Sequence, residues 1–375
     1  NKIYFFIFFF LTFFLFLYGK DIAGLLDAKW IIKYPKHLVF PLAKYLSGFV
    51  KWLMDDANFI IFSFRDFTRF IAWIIEIPYN LILALISKGF LSGQGQDAKE
   101  ILAPLSWMSV IAIIMFMALY TKDKLLVFLV FFAFLYLAIF GQWKSSMVTL
   151  SSIVIAVPVG VVIGLFLGIL SYKSEILEKI ISPVLDLMQT IPVFAYLVPI
   201  LVMFGFGPVA ALIATIIYAM PPMVRTTLLA LKNIDPQIKE SGLMSGCTKR
   251  QLMWRVLIPT SKPTLMIGVN QVIMLSLNMV IIASMIGAGG LGYDVLASLR
   301  RLNIGAGIET GVAIVVLAIA LDRLSQAFVN IKTERKKINI SFLKRYSRII
   351  FLFLFIIIIY FLSTYLPFLK SFPEH

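Results

Sequence analysis

The sequence predicts an all-α polytopic membrane protein, with eight or nine transmembrane helices and an amphipathic region near its N-terminus. Three observations predict it. The 375 residues are 61% hydrophobic, against about 45–50% in a soluble domain, and the mean hydropathy is +0.95. Charged residues make up 14% of the chain and gather between apolar runs. Those runs approach the roughly 20 apolar residues that a helix needs to cross a bilayer core.

Taken in order, residues 1–19 hold a Phe-rich run from Ile3 to Tyr18, preceded by Lys2. No small-x-small cleavage site follows it, so it is read as an uncleaved transmembrane helix or signal anchor. Residues 20–102 mix Trp30, Trp52 and Trp73 with Asp55, Asp56, Arg65, Asp66, Arg69 and Glu76. From Trp52 to Phe70 the pattern fits an amphipathic helix lying in the interface; a small extramembrane helical subdomain is the alternative. Residues 103–142 carry two accessory spans, 103–120 and 124–142. A core at 143–331 contains runs at 147–171, 192–205, 208–225, 264–287 and 307–329. The run 192–205 is short and is cut from the next by Gly205, Gly207 and Pro208, as in a tilted or partly re-entrant helix. Residues 332–375 supply a basic loop and an extra span at 349–366.

Charge sets the orientation. Lys332, Arg335, Lys336, Lys337, Lys344, Arg345 and Arg348 crowd one short loop, which the positive-inside bias places in the cytoplasm. Counting back two spans puts the loop 226–263 on the same side, with Lys232, Lys239, Lys249, Arg250, Arg255 and Lys262. The formal charge of +15 is thereby explained by loops beside membrane spans, and nucleic acid is not an expected partner.

Several chemistries are set aside. Cys247 is the single cysteine, and His37 and His375 lie far apart without clustered carboxylates, so no metal or catalytic centre is expected. Gly287, Gly289 and Gly292 satisfy G-x-G-x-x-G, but that fingerprint works only between a strand and a helix; here it follows an apolar span and reads as a tight turn. The stretch 91–96, Leu-Ser-Gly-Gln-Gly-Gln, has the look of an ATPase signature, yet no G-x-x-x-x-G-K-[ST] phosphate cradle occurs in the chain. No cofactor is expected. An ion-gradient-driven secondary transporter or channel is the competing class, and it calls for intramembrane carboxylates, of which the middles of these spans have almost none. A membrane-embedded enzyme calls for a His/Asp/Glu cluster, equally missing.

The most informative segment is Glu240–Pro259, polar and Gly-punctuated between apolar spans. Asp235-Pro236 supplies a helix cap and a first-turn proline, so a short helix is expected over 236–245, closed by Gly246 at its C-terminus. Ser241, Gly242 and Gly246 would let another protein approach closely, and Glu240 offers it a charge. Within 264–287, Asn270, Gln271, Ser276, Asn278 and Ser284 are polar, and either line a pathway or bond between helices. Phe194, Tyr196, Phe204, Phe206 and Tyr218 are the aromatics along 192–218.

This loop resembles the coupling motif of binding-protein-dependent ABC importer permeases: E-A-A, three residues, G, nine residues, I-x-L-P. Glu240, Ser241 and Gly242 fill the first positions, Gly246 the glycine, and Val256, Ile258 and Pro259 the end. The substitutions are small for small and aliphatic for aliphatic. Further stretches (186–192, 196–199, 219–225, 268–271, 282–286, 289–292 and 319–326) are similar to the glycine betaine/proline betaine branch, so the likeness covers about 145–330; the last span, 349–366, is not a feature of that branch. The resemblance implies a type I ABC importer permease fold and a homodimer of this chain. It also implies two copies of a cytoplasmic ATPase that binds ATP and Mg, and a separate extracytoplasmic substrate-binding protein. The ATPase-coupling residues would be Glu240, Ser241, Gly242, Gly246, Val256, Ile258 and Pro259. Asn270, Gln271, Ser276, Asn278, Phe194 and Tyr196 would be candidate pathway-lining residues.

Overall fold

Gly160, Gly164 and Gly168 recur every four residues, which puts them on one stripe of a helix, and that stripe decides how the centre of the protein packs. The computed structural model describes residues 2–25, 39–57, 63–92, 99–329 and 352–362. The Gly/Gln linker at 93–98, the basic loop after 329, the chain beyond 362 and both histidines lie outside the described residues.

Two units are described separately, Asn1–Arg65 and Asp66–His375. The first contains helices α1 (Lys2–Leu25) and α2 (Leu42–Asp55). Asp55 accepts from Arg65 at 2.8 Å. The amphipathic segment expected over 52–70 is therefore divided: α2 stops at Asp55, and α3 (Phe64–Leu83) starts anew and extends through a wide π-type turn to Lys88. At 25 residues, Phe64–Lys88 is long and apolar enough to cross a membrane, although the sequence reading placed no span there. A short antiparallel hairpin, β1 (Phe90–Ser92) with β2 (Lys99–Leu102), follows.

The second unit continues with α4 (Trp107–Tyr120), α5 (Lys124–Ile139), α6 (Trp143–Lys173), α7 (Glu175–Thr190), α8 (Val193–Phe204), α9 (Pro208–Lys232), α10 (Pro236–Met244), α11 (Lys249–Gln251), α12 (Ile258–Ala283), α13 (Leu291–Arg300) and α14 (Ile304–Val329). A π-type turn over Leu252–Leu257 makes α11 and α12 continuous. Among the described residues, five helices have the length and composition of a span: 64–88, 143–173, 208–232, 249–288 and 304–328. A sixth results if α7 and α8, bent by 106° at Ile191–Pro192, count as one broken span. Residues 3–19, 107–120, 124–139 and 352–362 form shorter apolar helices. The expected spans 103–120 and 124–142 are shorter, because residues 103–106 after the hairpin stay non-helical and α5 ends before the positive-φ Gly141. The spans 208–225 and 264–287 are longer helices than expected, because their polar ends stay helical beyond the apolar run.

The core forms around α9. A Cβ on Gly164 would lie 2.6 Å from Met223 Cβ, and one on Gly168 would lie 2.5 Å from Thr227 Cβ. On the other side a Cβ at Gly268 of α12 would lie 2.1 Å from Thr226 Oγ1. Small residues thus let α6 and α12 close on α9, which is how helices gain dispersion contacts where lipid offers no hydrophobic drive. Ile75, Tyr79 and Leu83 of α3 join the buried cluster made by α8 and α9, with Leu197, Ile200 and Ala210–Ala214.

The G-x-G-x-x-G stretch is a turn, as read from sequence. Gly287, Gly289 and Gly290 have φ of 112°, 74° and 86°, the left-handed region that glycine enters freely. Leu291 N–H donates to Thr149 Oγ1 at 3.0 Å, and a Cβ on Gly290 would stand 2.6 Å from that same oxygen. This ties the α12–α13 turn onto α6.

Candidate coupling site and pathway face

The 236–259 segment is built from three local signals. Asp235 accepts from Gln237 N–H at 2.9 Å, and Pro236 opens α10, where its missing N–H costs nothing. The helix closes on Gly246 at φ 77°. Cys247 N–H donates to Gly242 O at 3.3 Å and Gly246 N–H to Leu243 O at 3.0 Å, the double bond pattern of a Schellman end. The return begins at once with a reciprocal cap: Gln251 N–H donates to Thr248 Oγ1 at 3.3 Å, and Thr248 N–H to Gln251 Oε1 at 3.0 Å. Thr-x-x-Gln is the sequence signature of that cap, a signal the sequence reading did not use.

The loop's small residues divide their work. Gly242 is buried, and a Cβ there would meet Leu252 Cδ1 at 2.6 Å and Val256 Cγ2 at 3.5 Å. Its missing side chain therefore seats α10 on the return helix, within this chain rather than against a partner. Ser241 and Glu240 are exposed, and nothing lies within 4 Å of the Cβ position of Gly246. Val256 and Ile258 are half-buried beneath the loop, and Pro259 is exposed at the first turns of α12. Leu243 and Met244 project at 50% and 91% exposure, with Trp254 at 54%.

The candidate pathway residues separate. On α12, Gln271 and Asn278 share an exposed stripe with Ile267 and Met274, at spacings of four, three and four. Asn270 does not join it; its Oδ1 accepts from Ser325 on α14. Ser276 is fully buried, and its hydroxyl has no partner among the described residues. Phe194 is exposed, whereas Tyr196 is half-buried and meets Tyr218 edge to face at 6.0 Å. Asp322 accepts from Gln326 Nε2 at 2.8 Å, and the neighbouring Arg323 is exposed.

Comparison with known proteins bears on this arrangement. The description "Binding-protein-dependent transport system inner membrane component" matches residues 160–335, a range that contains α9, α10, α12 and the glycine stripe of α6. The glycine betaine/proline betaine transport system permease protein ProW of Escherichia coli (strain K12) is 35% identical over 312 residues, which are 80% of this chain and 82% of that protein. The chain belongs to the binding-protein-dependent transport system inner membrane component family. It is accordingly a multi-pass inner-membrane protein with the type I importer permease fold. The glycine betaine permease OpuAB of Bacillus subtilis (strain 168) is 35% identical over 72% of this chain and 93% of its own. The trimethylamine N-oxide permease TmoV of Pelagibacter ubique (strain HTCC1062) is 40% identical over 291 residues, or 76% of this chain. The chain spans less than half the length of the two trimethylamine N-oxide permeases it matches, 40% and 45%.

Sequence reasoning missed two cross-helix ion pairs, Asp186–Arg225 and Glu178–Lys232. Their partners are 39 and 54 residues apart, so no local spacing announces them.

Proposed function

We propose that this chain is the transmembrane permease subunit of an ATP-driven importer for glycine betaine/proline betaine-type osmolytes. A separate ATPase, in two copies, binds ATP and Mg and grips α10. An extracytoplasmic binding protein delivers the solute, and a second copy of this chain completes the pathway. The chain itself hydrolyses nothing. The observation that carries this reading is the loop at 236–259: a capped nine-residue helix, exposed on its outer side and wedged by Gly242 onto the start of α12. Force applied to α10 passes directly into α12, and through α12 to α9, in the manner of rigid-body switching.

The substrate class follows from chemistry shared by the relatives' printed solutes: a small, fully methylated nitrogen beside a negative oxygen. Such a solute has little hydrogen-bonding capacity at its cationic end, so an aromatic or amide-lined wall suits it better than paired carboxylates. The exposed Gln271–Asn278 stripe on α12 meets that need, since amides facing lipid would be costly, and it is assigned to the pathway or to the contact with the second copy.

The test is reconstitution in proteoliposomes with the ATPase and the binding protein. Uptake of labelled glycine betaine should require internal ATP and stop with vanadate. Uptake driven by a Na⁺ or proton gradient without ATP would favour the ion-gradient class instead.

A further inference from the structure

Helix α7 is attached to the bundle in an unusual way. Of its sixteen residues only Leu185 is buried, while Ile176, Ile180, Val184 and Leu187 are all exposed. Among the described residues its side-chain bonds to other helices are two ion pairs, and both reach α9. Lys232 Nζ donates to both oxygens of Glu178, at 2.6 and 2.7 Å. Arg225 donates to Asp186 Oδ1. From Glu178 to Asp186 is about 12 Å along α7, and from Lys232 back to Arg225 about 10 Å along α9, at 1.5 Å per residue. The two helices therefore run antiparallel, with the pairs as successive rungs.

The placement of the rungs gives them a use. Lys232 is the last residue of α9, and α10 begins four positions later at Pro236. Beyond the second rung α7 ends at Thr190 and the chain turns by 106° into α8. α9 itself is locked to α6 and α12 by buried glycine contacts, whereas α7 is tied to it by charged groups that this chain leaves partly uncovered; the side chains of Arg225 and Asp186 are 43% and 69% exposed. Coulomb attraction falls off slowly with distance and tolerates changes of angle. Such rungs can slip and re-form where packed side chains cannot. Arg225 also lies about 10 Å from the end of a spanning helix, a depth at which a charge needs a partner or water.

We infer that Asp186 and Arg225, with Glu178 and Lys232, are positioning residues that relay motion of α10 through α9 to the α7–α8 bend. This rests on the ATP-driven reading above and adds a second output to the coupling loop: one into α12 by packing, one into α7 by charge.

The experiment uses the reconstituted complex and four variants: Arg225→Glu, Asp186→Arg, the double swap, and Arg225→Lys. Either reversal is expected to lower solute moved per ATP hydrolysed by about tenfold, an ordinary size for coupling between sites. The swap and Arg225→Lys should restore it. If uptake and hydrolysis fall together with their ratio unchanged, or the swap fails to restore it, the relay is overturned. A second readout needs no transport. With Cys247→Ser removing the single native cysteine, spin labels at exposed Ile180 and Leu229 report the α7–α9 distance directly in the assembled complex. A narrow distribution in the parent, broadened by Asp186→Arg and narrowed again by the swap, supports the relay; equal distributions in all four variants refute it. Should the parent complex move no solute at all, the transport reading fails on that result, and the label distances still decide whether the rungs hold α7.

Discussion

Replacement of Gly246 separates backbone strain from side-chain crowding, because the two make different demands there. The residue sits at φ 77°, with nothing within 4 Å of where a Cβ would stand. An added Cβ therefore crowds no atom of this chain beyond its immediate neighbours. It does pay for the left-handed backbone, about 1–2 kcal/mol for an L-residue, and more when the side chain is β-branched, while asparagine enters that region with the least penalty. One to two kcal/mol shifts a local equilibrium about 5–30-fold. The equilibrium concerned is closure of the Schellman end, in which Gly246 and Cys247 N–H groups reach Leu243 O and Gly242 O. Loss of that closure lets α10 rotate on the return helix while the bundle stays folded. Uptake into proteoliposomes containing the ATPase should therefore decline in the order Gly, Asn, Ala, Val, with Val lower by about 5–30-fold and the amount of inserted protein unchanged. An order that follows volume instead, with Asn worse than Ala, would refute the backbone argument. Normal transport by Gly246→Val would refute the assignment of the loop.

Three other outcomes follow from the packing. Gly242→Val places a Cβ 2.6 Å from Leu252 Cδ1, so it should weaken co-purification of the ATPase; adding Leu252→Ala removes the clashing atom and should recover most of it. Gly164→Leu drives a Cβ to 2.6 Å from Met223 Cβ and 3.2 Å from Met220 O, atoms unable to swing aside, and should cost about 1–3 kcal/mol or more, read as a lower unfolding midpoint in detergent. Gly311→Ala, whose Cβ has nothing within 4 Å, is the control and should leave that midpoint in place. Thr149→Val removes the acceptor of the buried Leu291 N–H, for about 1–3 kcal/mol, whereas Thr149→Ser should retain it.

Much of the candidate site was legible because it is local. Asp235-Pro236 and Gly246 bracket α10 by capping chemistry that operates over three or four residues, and the helix runs from Pro236 to Met244 between them. Thr248 and Gln251 carry the same kind of local signal for the return helix, and it went unread. What escaped depends on distant partners. Gly242 looked like an open surface for another protein, yet it is filled by Leu252 and Val256 from the same chain. Ser276 looked like a pathway group and is buried, because polarity places a residue on a helix but does not say which side faces the neighbours. The break of 52–70 into two helices was not visible from periodicity, which runs on at helical spacing while Asp55 and Asp56 end α2. Lys232 gave only a charge to the orientation argument and Arg225 did not enter it, and their carboxylate partners came into view with the packing of α7. The Gly160–Gly164–Gly168 stripe was present in the sequence but was not read; its spacing of four is the signal that α6 has a close neighbour.

The central claim is that a partner ATPase holds α10. With Cys247→Ser as background, single cysteines at exposed Ser241 and Met244 and, as a control, at Asn303 between α13 and α14 can be treated with a short bifunctional cross-linker in the purified complex. The account predicts adducts with the ATPase from positions 241 and 244, none from 303, and a yield that changes when ATP is replaced by ADP. A complex that purifies intact but yields no adduct from either α10 position would contradict it.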